Sequence, residues 1–132
     1  MSTNLVLEHA LWYAQQGIYV NAVQPNSKAL LAENKGKSVF ETATRDPAES
    51  ERLFAGHPER NIGVVPGPHS DLAILDVDVK NGCRGREALA VLEACCGPLP
   101  RTLREETPSG GQHLFFRLGE ARISNGKLMV ND

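Results

Sequence analysis

Two short stretches of this chain carry side chains whose types and spacing suit chemistry. The first is Ile74-Leu75-Asp76-Val77-Asp78, an apolar run ending in an Asp-x-Asp pair. In an extended strand, residues two apart point to the same face, so Asp76 and Asp78 would stand side by side at the strand's end. Two neighbouring carboxylates repel unless something neutralises them. A divalent cation does so, and an all-oxygen donor set favours magnesium or manganese over zinc. Such a cation would in turn hold substrate phosphates. The plainer alternative is a strand leaving the core into a solvated acidic turn closed by Lys80-Asn81-Gly82.

The second stretch is Thr107-Pro108-Ser109-Gly110-Gly111-Gln112-His113. Paired glycines let a backbone approach a ligand closely and aim its amides there. His113 opens an apolar run, Leu114-Phe115-Phe116, where its ring could meet a phosphate oxygen. The alternative is an ordinary Ser-Gly-Gly hairpin turn with an incidental histidine. Lys28, Lys35 and Lys37 could also meet phosphates, although a lysine-rich loop is more often only solvated. Arg84 and Arg86 open a helix against its dipole preference, which suits an exposed surface or a nearby anion.

The elements that must position these residues follow from caps, breakers and periodicity. A first helix spans residues 4–16, with Asn4 as N-cap and Gly17 as its stop. Ile18 to Val23 is rich in β-branched residues and reads as a strand. Residues 28–37 show no period and read as a loop. Asp46 caps a helix that Pro47 opens and that runs to about Ala55. Strands follow at 61–65 and 72–77. The second is nearly all apolar, which implies burial on both faces. A helix from residue 84 or 85 to Cys96 should place Leu89, Leu92 and Cys96 toward the core. Two strands, 103–107 and 113–118, flank the Ser-Gly-Gly turn. Helices and strands interleave, which implies an α/β or α+β class with a mixed sheet.

Taken together, these pieces resemble the N-terminal bifunctional DNA primase/polymerase (prim-pol) domain of the archaeo-eukaryotic primase superfamily. The resemblance runs from about Leu7 to about Leu128. It takes in the helix Ala10-Leu11-Trp12-Tyr13-Ala14-Gln15-Gln16-Gly17, Pro25 with Lys28, Ala43-Thr44-Arg45-Asp46-Pro47 and Asn61-Ile62-Gly63-Val64-Val65-Pro66-Gly67. Leu75-Asp76-Val77-Asp78 matches the first catalytic motif and Thr107 to His113 the second. Ser124-Asn125-Gly126-Lys127-Leu128 looks like the approach to the third. The resemblance implies an α+β fold: an RRM-like core with a mixed sheet and flanking helices, joined to an N-terminal α/β module. It implies Asp76 and Asp78 as ligands of Mg2+ or Mn2+, and His113 as a contact to the incoming nucleotide. Ser109, Gly110, Gly111 and Lys28 complete the implied nucleotide-binding set. The activity implied is template-directed nucleotidyl transfer on a single-stranded or primed template, often beside a helicase domain.

The third motif of that family is another carboxylate, usually followed by Arg-Gly. Here Met129-Val130-Asn131 lead to Asp132, the last residue. The expectation is therefore residues 1–132 as one partial prim-pol domain without an internal linker, its C-terminal part missing. Two other readings stay open. One is a non-catalytic remnant that binds nucleotide or nucleic acid. The other is a phosphatase-like hydrolase of the haloacid dehalogenase type. In that class Asp-x-Asp usually lies near the chain start and precedes Gly-Thr or Gly-Val, whereas Val79-Lys80-Asn81-Gly82 follow here.

Composition bounds the rest. The 132 residues suit one domain able to bury a core without staples. Fourteen basic against sixteen acidic residues leave a net charge of -2, so no global positive field draws nucleic acid. Three cysteines, with Cys95 and Cys96 adjacent, make neither a disulfide framework nor a zinc spacing. They read as free thiols, Cys95 or Cys96 on the core face of their helix. No apolar run reaches membrane-span length and no signal peptide opens the chain, so a cytoplasmic setting is expected.

Overall fold

The computed structural model describes residues 3–126. Its chain divides into two compact units, Met1–Asp71 and Leu72–Asp132.

In the first unit, α1 (Leu5–Gln15) starts where expected. The Asn4 side chain accepts a hydrogen bond from the Leu7 amide at 3.0 Å, which satisfies one orphan donor of the first turn. The same side chain donates to the Phe54 carbonyl at 2.9 Å and ties α1 to the end of α3 (Pro47–Phe54). Asp46 caps α3 by accepting from the Ala48 amide, with Pro47 at the first helical position. Ala10, Leu53 and Phe54 are buried and pack with Val20 and Ala22 of strand β1 (Tyr19–Val23). A one-turn helix, α2 (Val39–Thr42), precedes α3. Ser38 and Glu41 form its capping box.

β1 pairs antiparallel with β2 (Asn61–Val65), with Asn21 opposite Gly63. Asn21 is only 3% exposed, and its Nδ2 donates to the Val39 carbonyl at 3.2 Å. A Cβ at Gly63 would come within 2.4 Å of the Asn21 Oδ1. Gly63, inside the strand read from sequence at 61–65, thus makes room for a buried amide. Ser70 performs a similar polar closure. Its hydroxyl accepts from the Tyr19 amide at 3.0 Å and donates to the Val65 carbonyl at 2.7 Å.

The second unit holds β3 (Leu72–Val77), α4 (Gly85–Cys96), β4 (Arg104–Glu106) and β5 (Gln112–Arg117). The strand order is β3-β5-β4, antiparallel throughout. The class is α+β, as expected. Among the described residues the strands form two antiparallel sheets where the sequence suggested a mixed one. A short turn joins β4 to β5, and such a turn permits only antiparallel pairing.

Two expectations are corrected. Burial on both faces is continuous in β5, where Leu114 and Phe115 are 0% and 5% exposed, whereas in β3 only the end residues Leu72 and Val77 are buried and the middle is partly exposed. β5 is central, whereas β3 is an edge strand whose Asp76 is exposed. Cys95 and Cys96 are both exposed, as is Cys83. α4 has no fully buried residue, so helical spacing alone did not place a thiol in the core.

Gly63→Ala should lower stability by about 1–3 kcal/mol, the usual cost of forcing a group into filled space. Gly126→Ala, where an added Cβ meets open space, should change it by less than about 0.5 kcal/mol. Urea denaturation of both variants checks this.

Candidate functional site

β3 and β5 run antiparallel with Asp76 directly opposite His113. On the other side of β5, β4 sets Glu105 opposite the same histidine. Directly opposed residues share a face of the sheet, so carboxylate, imidazole and carboxylate form a row across three strands. The His113 Nδ1 lies 2.9 Å from the Glu105 Oε1. Its Nε2 lies 3.5 Å from the Asp76 Oδ1, an ion-pair contact beyond ordinary hydrogen-bond length. The row is open to solvent: side-chain exposure is 33% for His113 and 59% for Asp76.

Asp78 follows the end of β3, so strand alternation no longer governs its side chain. Its Oδ1 accepts from the Lys80 amide at 3.1 Å, inside the turn at Lys80–Gly82. Its carbonyl accepts from the Gly85 amide at 2.9 Å, which binds the start of α4 to the strand end. A Cβ at Gly85 would come within 2.3 Å of that carbonyl. Gly111 packs equally closely, for a Cβ there would lie 2.3 Å from the Val77 carbonyl. The backbone that carries the two aspartates is therefore approached by two glycines, one from α4 and one from the 107–111 turn.

That turn is closed by its own bonds. The Gly111 amide donates to the Thr107 Oγ1 at 3.0 Å, and the Gly110 amide to the Thr107 carbonyl at 3.0 Å. The Ser109 hydroxyl lies 3.2 Å from the Thr107 Oγ1. Arg86 donates through Nη2 to the Gly110 carbonyl at 2.8 Å, which accounts for an arginine in the first turn of α4. A cavity of about 240 Å³ lies between α4 and the turn, lined by Leu89, Glu93, Val77 and Gln112 among others.

Asp76 and His113 are thus direct neighbours, and Gly111 packs against the residue between the two aspartates. Lys28 belongs to the first unit, exposed in the turn after β1. Asp132 lies outside the described residues. Sequence reasoning missed Glu105 and the packing role of Gly85. Arg104-Glu105-Glu106 has no apolar alternation to mark a working residue. A glycine at a helix start gave the only hint of close packing at 85.

Among the described residues no group of three or more His, Cys, Asp or Glu side chains is placed to hold a metal ion. The pair Asp76 and Asp78 nevertheless has the right chemistry for a hard divalent cation. Magnesium is commonly held by one or two carboxylates, with water and substrate phosphates completing its shell.

Gly85→Ala and Gly111→Ala should each destabilise the chain by about 1–3 kcal/mol, since backbone and not a flexible side chain must give way. Hydrogen exchange at the β3–β5 amides should speed up in both variants. Unchanged exchange would show that the close packing does not hold the strand end.

No curated protein and no solved structure matches the chain. No helix among the described residues is long and apolar enough to cross a membrane. The family model for the bifunctional DNA primase/polymerase N-terminal domain, Prim-Pol, matches residues 10–130. That span takes in both units and every residue of the row. Members of this family are in general metal-dependent and act on nucleotides and nucleic acid. With most of its length matched, the chain belongs to the bifunctional DNA primase/polymerase N-terminal family.

Proposed function

We propose that this chain binds a nucleoside triphosphate at the Asp76–His113 end of the β3–β5 pair and supports template-directed nucleotidyl transfer there. The observation that carries this reading is the register of Asp76 opposite His113, reached from two motifs far apart in sequence. In the reaction, a primer 3′-hydroxyl oxygen forms a bond to the α-phosphorus. The bond from that phosphorus to the pyrophosphate oxygen breaks, and the hydroxyl proton passes to solvent.

Asp76 and Asp78 supply oxygen donors for Mg2+ or Mn2+. When bound, such a cation screens the triphosphate charge and favours ionisation of the attacking hydroxyl. His113 is the proposed contact to a phosphate oxygen of a triphosphate that a cation on the carboxylate pair would hold. The Ser109 hydroxyl is a second polar contact. Gly110 and Gly111 act through shape, because both amides are engaged within the turn. Their part is to bring His113 and Ser109 beside the aspartates. Lys28 is proposed as a phosphate contact on its charge and its place in the Pro25–Lys28 element. Base choice comes from pairing with a single-stranded or primed template, so the protein need contact only its backbone. A helicase domain as partner and a cytoplasmic setting fit this replication role.

Calorimetric titration with dATP tests the reading. Binding should require Mn2+ and vanish with a chelator. Asp76→Asn and Asp78→Asn should each weaken it about tenfold or more, on the order of 1.4 kcal/mol. His113→Ala should cost a similar factor, the worth of one hydrogen bond to a charged group. Binding that ignores the cation, or that all three variants leave intact, would overturn the reading.

A further inference from the structure

We propose that Lys35, Lys37 and Phe40 form a contact surface for single-stranded nucleic acid, the phenyl ring stacking on an unpaired base and the two ammonium groups meeting flanking phosphates. The proposal rests on the template reading for its role in synthesis. The surface itself lies wholly in the first unit, and none of its residues belongs to the nucleotide-binding set.

The stretch Asn34-Lys35-Gly36-Lys37-Ser38-Val39-Phe40-Glu41 folds into two fixed pieces in succession. The Lys37 amide donates to the Asn34 carbonyl at 3.0 Å, with Lys35 at φ -56°, ψ 129° and Gly36 at φ 86°. These angles make a type II turn, whose third residue needs a positive φ and therefore glycine. The capping box of α2 follows at once. The Ser38 amide donates to the Glu41 Oε2 at 2.6 Å, and the Glu41 amide to the Ser38 Oγ at 3.1 Å. The buried Asn21 fastens α2 to β1 by donating to the Val39 carbonyl. On this fixed mount Phe40 stands 67% exposed.

A single exposed apolar residue needs no explanation. Phe40 differs in its surroundings. It is the most exposed aromatic residue among those described. Trp12 meets Tyr13 edge-on, and Arg45 lies over the Tyr19 ring. Among the described residues no ring or guanidinium stacks on Phe40. Lys35 and Lys37 are exposed, and among the described residues neither has an ion-pair partner. The nearby carboxylates are engaged. Glu41 accepts from Ser38, and the Arg52 guanidinium, held charged chiefly by Glu49, also feels Glu33.

A free ring therefore stands beside two free cations. Lys37 and Phe40 are three residues apart, so their Cα atoms lie within about 11 Å. Single strands are bound without sequence preference by this combination, since every base has a face to stack and every linkage a phosphate. Pairing still decides base choice. A second copy of the chain fits the surface less well. A stable protein interface buries about 1,200 Å² or more, and Val39 and Phe40 are the only large exposed hydrophobics between residues 24 and 45.

The test is fluorescence anisotropy with a labelled thymidylate oligomer of about 20 nucleotides, longer than the roughly 4–16 nucleotides such sites occupy. Phe40→Ala should weaken binding about fivefold or more, the worth of one stacked base. Phe40→Leu should weaken it similarly, because it keeps apolar surface but removes the ring. Phe40→Trp should retain wild-type affinity, and so should Leu5→Ala, a control at a comparably exposed apolar position. Joint Lys35→Gln and Lys37→Gln should flatten the slope of log affinity against log salt by about 1.4, at about 0.7 per phosphate contact on a single strand. Phe40→Ala should leave that slope unchanged.

No binding of the oligomer by wild type would overturn the proposal. So would Phe40→Leu binding as wild type, an unchanged salt slope in the double lysine variant, or a wild-type dimer that Phe40→Ala dissociates in sedimentation while the oligomer affinity stays the same. Calorimetry with dATP and Mn2+ separates this surface from the nucleotide reading. Phe40→Ala should bind dATP as wild type does. Oligomer binding that follows Phe40 and the lysines in a chain that binds no dATP would uphold the surface and remove the nucleotide reading. Cation-dependent dATP binding in a chain whose oligomer affinity ignores all three residues would do the reverse.

Discussion

The register of β3 on β5 is the constraint on which the site depends. It sets Asp76 against His113 and, through β5, brings Glu105 to the same ring. Side chains alternate faces along a strand, so a slip by one residue would turn a whole strand's set to the opposite side. The imidazole would leave the carboxylates, and Leu114, now fully buried, would change faces with it. Burial therefore enforces the polar geometry. The apolar residues of β5 hold the register, and the row of charged groups follows from it.

The strand end is held by close packing as well as by pairing. Gly85 and Gly111 let a helix start and a turn come within reach of the Val77 and Asp78 backbone. This gives the Gly-Gly pair of the second motif a physical task different from a bare phosphate cradle. The Gly110 and Gly111 amides close the turn on Thr107, and Arg86 adds a further bond from α4. What the turn offers outward is the Ser109 side chain, with His113 just beyond it.

The first unit solves a comparable packing problem around polar groups. A buried amide costs free energy unless it is hydrogen-bonded. Asn21 meets that condition by donating to the Val39 carbonyl, and Gly63 leaves the space its side chain needs. Ser70 joins the start of β1 to the end of β2 through two hydrogen bonds of one hydroxyl. Two helices, α1 tied at Asn4 and α3 capped at Asp46, then cover the β1–β2 pair with Ala10, Leu53 and Phe54.

Local chemistry was legible in the sequence because its causes are local. Asn4 and Asp46-Pro47 mark helix starts through hydrogen bonds within one turn, and Gly17 ends α1 at a positive φ of 77°. The two motifs that suit a divalent cation and a phosphate stood out by residue type and spacing. Which strand would be central did not, since β3 and β5 are comparably apolar and centrality depends on neighbours. Nor did the exposure of Cys95 and Cys96, because helical spacing says which residues share a face but not what covers it. Glu105 was invisible for the same reason. Its value comes from the partner opposite it, and only strand pairing supplied that partner. Sequence by itself determined the helix caps, the turns and the chemical character of the two motifs; tertiary pairing decided which of their side chains meet, because opposition across a sheet is a property of register and not of composition.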